Sequence, residues 1–188
     1  MSTGYKISDT EGLYYVTLQV VQWVDIFTRP AYRYIIIDSI KYCIQEKGLV
    51  VFAYVIMSNH VHMLIQSMIG KLSETLRDMK RHTSKTIIDA IKEGNESRRD
   101  WMLPIFRQAA AKHVRNNEYQ LWTHENHPEL IYSNKFITQK INYIHENPVR
   151  SGIVERAEDY LFSSARNYAG LKSLLDVEVI VLPAIVVK

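Results

Sequence analysis

The order of secondary-structure signals predicts an α+β fold, an antiparallel sheet with helices on one face. Three observations lead there. Residues 13–27 are dense in β-branched and aromatic residues, the composition of a strand. Residues 49–57 and 60–66 read as two more strands parted only by Ser58-Asn59, a turn signal, and so form a hairpin. Apolar residues at helical spacing fill 31–46 and 72–92. The first five elements therefore match the opening of a ferredoxin-like β-α-β-β-α-β layout.

Each element has its own boundary signal. Residues 13–27 read as one long strand. Pro30 sits where a helix can begin. Tyr34, Ile37, Ile40 (or Lys41) and Ile44 then recur at helical spacing, and Gly48 caps the end. Gly70 precedes a helix over 72–92 whose apolar stripe is Leu72, Leu76, Met79, Thr83, Ile87 and Ile91. Gly94 to Ser97 is a polar break. Residues 98–118 read as a further helical segment, with an irregular start because of Pro104. Residues 121–132 are strand or loop, interrupted by Pro128. Ser133 is placed to cap a helix running from Asn134 to about Glu146, which Pro148 stops by pushing the preceding residue out of the α region. The tail offers a short helix within 163–168 and a last strand over 177–182. No repeat, low-complexity tract or linker divides the chain, so residues 1–188 read as one domain.

A chain of 188 residues with 47% apolar and 23% charged residues can bury a sizeable core. No apolar run approaches the roughly 20 residues of a membrane span. The N-terminus lacks the apolar stretch of a signal peptide. Cys43 is the only cysteine, so no disulfide forms within the chain. A cytoplasmic protein without membrane contact is the simplest expectation. The net charge of +3 permits nucleic-acid binding without arguing for it. The distribution says more. Lys71, Arg77, Lys80, Arg81, His82 and Lys85 crowd one expected helix, and Arg98, Arg99, Arg107, Lys112 and Arg115 follow. This cation excess suggests a phosphate-contacting surface.

Two constellations carry chemistry. His60-Val61-His62 puts two imidazoles on one face of a strand, since side chains at i and i+2 point the same way. That is half of a metal site. Tyr143 and Asn147 lie one turn apart near a helix end, where Asn147 at a frayed terminus can turn its carbonyl oxygen outward. A phenol that attacks a phosphodiester in line, beside an amide oxygen completing a divalent-metal site with the histidines, suits phosphoryl chemistry. Because a free phenol has a pKa of about 10, a nearby cation is part of the requirement. His145 lies about 200° around the helix from Tyr143 and is not counted as a ligand. His124 and His127, with Glu125 and Asn126, form a competing but weaker metal pair.

These residues resemble a known family. Met57-Ser-Asn-His60-Val-His62 resembles the HUH motif (His, hydrophobic, His) of single-tyrosine transposases, most of all the REP-associated tyrosine transposases and related small insertion-sequence transposases. Asn142-Tyr143-Ile-His-Glu-Asn147-Pro148-Val-Arg-Ser-Gly152 resembles their nucleophile helix, and 154–168 its continuation. The likeness covers about residues 13–170 and leaves 171–188 unassigned. Ser58 stands where many members carry proline. The resemblance implies a ferredoxin-like (RRM-like) sheet of the HUH endonuclease type. It implies Tyr143 as nucleophile, forming a 5′-phosphotyrosine with single-stranded DNA. It also implies Mg²⁺ or Mn²⁺ on His60, His62 and Asn147, and recognition of DNA hairpins. Some members are dimers that exchange the tyrosine helix, and others act as monomers. Arg77, Lys80, Arg81, Lys85, Arg107 and Lys112 would contact DNA, and Trp122, Tyr132 or Phe106 could stack bases. Two alternatives compete: a nucleic-acid-binding module that has lost catalysis, and a metallohydrolase using His60, His62 and His127.

Overall fold

The computed structural model describes residues 7–112 and 118–181. The N-terminal residues 1–6, Arg115 and the last residue of the expected tail strand, Leu182, lie outside the described residues. The chain runs β1 (Tyr14–Gln19), α1 (Pro30–Lys47), β2 (Leu49–Ile56), β3 (His60–Ser67), α2 (Leu72–Glu93), α3 (Arg99–Ala111), β4 (Glu129–Leu130), α4 (Asn134–Arg150) and α5 (Ala165–Tyr168). The four strands form one sheet in the order β2-β3-β1-β4, antiparallel at every pairing. Among the described residues no helix is long and apolar enough to cross a membrane.

Local signals account for most boundaries. Pro30 opens α1, where a missing N–H costs nothing. Gly48 ends it in the left-handed region at φ 61. All six expected stripe residues of α2 are buried. Ser133 caps α4, its hydroxyl accepting from the Phe136 N–H at 3.3 Å.

Five expectations need correction, four of them on single elements and one on the layering. The strand expected over 13–27 stops at Gln19. A one-turn 3₁₀ segment at Val21–Trp23 turns the chain, with Gln22 and Trp23 at φ values of 52 and 56, and a second follows at Ile26–Thr28. The apolar density there reflects burial rather than extension, since Val20, Val21, Val24, Ile26 and Phe27 all enter the core. Pro148 does not stop α4, which continues to Arg150. Its ring removes only one backbone bond, and the surrounding turn buries Ile144, His145, Asn147 and Pro148 itself. The actual stop is Gly152 at φ +67, whose N–H bonds to the Val149 carbonyl at 2.9 Å. Pro104 likewise lies inside α3 rather than at an irregular start. It is exposed, as is Asp100 one turn earlier. The tail strand expected over 177–182 is absent among the described residues. The tail makes one bond to the β2 edge, Glu178 N–H to Val51 O at 2.9 Å, while 162–164 takes the edge farther along, through Ile56 N–H to Phe162 O at 3.0 Å and Ser164 N–H to Tyr54 O at 2.9 Å.

Helices lie on both faces of the sheet rather than one. Val20 pairs with Trp122 at the outer edge of β1. The Trp122 indole N–H donates to Thr83 of α2 at 3.0 Å, which places α2 on the face of Val16, Leu18 and Val20. α1 packs on α2. The opposite face carries Tyr15, Thr17, His60 and His62, and α4 crosses it, with Tyr143 against His62 and Tyr15. Residues 121–131 form an irregular edge beside β1: Val21 N–H bonds to Leu121 O, Thr17 N–H to Asn126 O and Ile131 N–H to Leu13 O, at 2.8 to 2.9 Å. Regular pairing there shrinks to Glu129–Leu130, because His127 turns at φ 41 before Pro128.

Gly48→Ala should lower stability by about 1 kcal/mol, because a side chain there is strained at positive φ. Urea denaturation of both proteins checks this.

Candidate functional site

Antiparallel register builds the site. Thr17 stands opposite His62 and Gln19 opposite His60. The two imidazole centroids are 4.6 Å apart. His62 is 5% exposed, and its Nδ1 lies 2.8 Å from the Tyr15 hydroxyl and 2.9 Å from the Thr17 hydroxyl. With the proton on Nδ1, these hydroxyls receive it and the Nε2 lone pair is left for a cation.

His60 is oriented by its neighbour in sequence. Asn59 uses its amide N–H₂ to bond Asp25 Oδ1 at 2.9 Å and the Trp23 carbonyl at 3.3 Å. Its carbonyl oxygen therefore faces His60 Nδ1, 2.7 Å away, and only a protonated Nδ1 can donate to it. This chain from Asp25 to Asn59 to His60 also leaves Nε2 unprotonated. Both imidazoles are neutral near pH 7. Burial pushes His60 down, and burial pushes His62 down to about 3, with repulsion from His60, Lys140 and Arg150 adding to it. Two neutral, hydrogen-bonded imidazoles side by side suit a divalent cation.

α4 brings four side chains to this face at helical spacing: Lys140, Tyr143, Asn147 and Arg150. The Tyr143 ring is 40% exposed, 5.4 Å from the His62 ring and 6.2 Å from the Tyr15 ring. Arg150 lies over the Tyr143 ring at 4.4 Å and donates to the Tyr143 carbonyl at 3.3 Å. The Lys140 ammonium sits 4.1 Å from the Tyr15 centroid and pairs with Glu129 at 2.8 Å. The sequence reading required a cation near the phenol but did not name Arg150 or Lys140. Their spacing of three from Tyr143 and Asn147 along one helix was the available signal. The orienting residues Tyr15, Thr17, Asp25 and Asn59 had no comparable signal, since they depend on register.

Asn147 is not at a frayed end with its side chain free to turn outward. It lies inside α4, 8% exposed, one turn beyond Tyr143, and its backbone carbonyl accepts from Ser151. No third His, Cys, Asp or Glu joins the histidine pair among the described residues. A third protein ligand would have to be of another type, and Asn147 is the amide on the same helix face as Tyr143. The trio of His60, His62 and His127 is not assembled, and no cluster of three such ligands forms around His124 and His127. His127 pairs with Glu125 at 3.7 Å. His145 lies away from the pair, its Nε2 2.8 Å from Ser164 Oγ and its ring against Tyr168.

The expected DNA contacts divide. Arg77, Arg81 and Lys85 are exposed and, with Lys80, line a groove of about 1200 Å³ along α2. Arg77 and Arg81 share Asp78. Lys80 is committed inward. Its ammonium donates to Thr123 O at 2.7 Å and Asn126 Oδ1 at 2.6 Å, and burial pushes it down to about 8. Arg107, paired with Glu118 at 2.7 Å, and exposed Lys112 lie on or beside α3. Trp122 and Phe106 are 4% and 0% exposed and cannot receive a base, whereas Tyr132 is open.

Acid should destabilise the protein through the histidines that burial pushes down, His60, His62 and His145. His62 and His145 (pushed by burial down to about 4) bind protons less readily folded than unfolded. Stability is therefore full above about pH 6.5 and falls as the pH drops towards those lower values. His62 and His145 should each remove about 2 kcal/mol between pH 7 and pH 5. Urea denaturation at the two pH values, with His145→Gln removing about 2 kcal/mol of the difference, checks this.

No family model matches the sequence. No curated protein is similar to it either. Seven chains of solved structures match. One is described as a REP-associated tyrosine transposase bound to a REP hairpin. It aligns over 98% of this chain and 96% of its own with a TM-score of 0.60 and 18% identity. At that identity the likeness is one of fold, and this chain has the fold of that transposase.

Proposed function

We propose that this protein is a metal-dependent single-strand DNA endonuclease and strand transferase. The observation that carries the reading is Tyr143 docked 5.4 Å from His62 in the same chain, on the strand face that bears both imidazoles. The β-α-β-β-α succession, with α3 inserted before β4, and the strand order β2-β3-β1-β4 support a ferredoxin-like reading of the sheet. The likeness to a hairpin-bound transposase supports a DNA hairpin as substrate.

His60 and His62, with Asn147 as third ligand, would hold Mg²⁺ or Mn²⁺. Two nitrogen donors make Mn²⁺ the better match. When bound, the ion supplies Lewis-acid polarisation of a phosphate oxygen. Tyr15 and Thr17 hold the His62 ring at its Nδ1, and Asn59 sets the tautomer of His60. Tyr143 loses its proton to water and attacks phosphorus. The Tyr143 Oη–P bond forms, the P–O3′ bond breaks, and the strand leaves with a 3′-hydroxyl. Arg150 and Lys140 set positive charge against the phosphate and the attacking phenolate. Rejoining reverses the exchange: a 3′-hydroxyl attacks the phosphotyrosine and releases Tyr143. No nucleotide is consumed, because the covalent bond keeps the phosphodiester energy. Arg77, Arg81 and Lys85 would meet backbone phosphates of the hairpin. Because one chain holds Tyr143 against its own His62, the reading favours a complete site in each subunit without helix exchange.

Tyr143→Phe should abolish the covalent adduct with a hairpin-bearing single strand in Mn²⁺ while DNA binding persists. An adduct that survives the change sinks the assignment. His60→Ala should remove metal-dependent cleavage. Mixing the Tyr143→Phe and His60→Ala proteins should restore no activity; restored cleavage would instead reveal an exchanged helix. Arg150→Ala should slow single-turnover adduct formation by about 100-fold, read on a denaturing gel.

A further inference from the structure

We infer that Trp23 is a stacking site for an unpaired nucleobase next to the histidine pair. This rests on the single-strand DNA reading and adds a base-binding site to it. Trp23 is 57% exposed, and its ring stands edge-on to His60 with centroids 6.0 Å apart. Its exposure is enforced by the backbone. Gln22 and Trp23 both adopt positive φ, a region that non-glycine residues occupy only under constraint. The constraint is visible on both sides. Val21 and Val24 are buried, and the Val20 and Val21 N–H groups bond the Asn59 and Leu121 carbonyls at 2.9 Å. A chain relaxed into extended structure here would lose those bonds. Strain concentrated at one turn beside a candidate active site, spent on holding an indole in water, points to a ligand for that indole.

The ligand must match what surrounds the ring. Asn59 binds the Trp23 carbonyl and also receives the His60 proton, so one side chain sets the positions of both the indole and the imidazole. Lys140 and Arg150 act electrostatically on the neighbouring His62. A flat apolar face against His60, whose neighbour His62 feels Lys140 and Arg150, fits a molecule that joins a flat ring to a phosphate, as a nucleotide does. A strand whose scissile phosphate met the histidines would present a neighbouring base to Trp23. Stacking is sequence-tolerant, so the site would position the strand without reading it.

Fluorescence tests this with the full chain in EDTA, so that binding is read without cleavage. The chain has three tryptophans, of which Trp122 is buried and Trp101 is exposed. Trp101→Phe isolates Trp23 as the exposed fluorophore. Unstructured oligothymidylate should quench its emission, and the same titration should leave Trp101→Phe/Trp23→Phe unquenched. Trp23→Ala should weaken oligothymidylate binding by about 5- to 150-fold, the range for loss of one stacked base. Trp23→Phe should recover part of that loss. Equal urea midpoints establish that the variants fold. Unchanged affinity in Trp23→Ala, or quenching that persists without Trp23, overturns the inference and leaves the Tyr143 reading standing. Failure of every form to bind single strands overturns both.

Discussion

The pairing of β1 with β3 is the constraint on which the rest of the site depends. It sets Thr17 opposite His62, and Tyr15 on the same face two residues earlier. A slip of one residue would send both hydroxyls to the opposite face and leave a buried imidazole without partners. The other face resists such a slip, because Val16, Leu18, Val61, Met63 and Ile65 are at most 1% exposed. Burying each such side chain contributes about 1.5–3 kcal/mol, so turning the row outward would cost more than the site could recover. The apolar side of the sheet thus locks the geometry of the polar side.

α4 completes what the register begins. Its buried residues anchor it on one side, through Ile141, Ile144 and the His145–Ser164 contact. Its other side carries Lys140, Tyr143 and Arg150 to the imidazoles. The cations near His62 and the burial of its ring act in the same direction, and both keep it neutral. Glu129 holds Lys140 at the strand edge. The edge itself is held by Lys80, whose ammonium ties the 123–126 loop to α2. A residue that reads as surface charge therefore fastens the segment beside β1.

The turn after β1 plays a similar part. Asn59 joins Asp25, the Trp23 carbonyl and His60, so the strained turn and the hairpin that bears the histidines move together. Its amide can be placed only one way round, since two acceptors lie on its nitrogen side. That assignment fixes the His60 tautomer without any appeal to a bound ion.

What depends on neighbours a few residues apart could be read from the order of residues alone. The hairpin, α1 with its proline start and glycine stop, the buried stripe of α2 and the serine cap of α4 were all legible, because periodicity and capping act within one or two turns. The shared face of His60 and His62 followed from strand alternation, and that of Tyr143 and Asn147 from helical spacing. Long-range packing settled the rest. It ended β1 at Gln19 and carried α4 through Pro148, because burial against distant segments outweighed local preference at both places. It put helices on both faces of the sheet, brought Arg150 and Lys140 to the phenol, turned Lys80 inward and Trp23 outward, and buried Trp122 and Phe106. Each of these depends on which remote segments meet, and that follows from register and packing, which no local pattern of residues encodes.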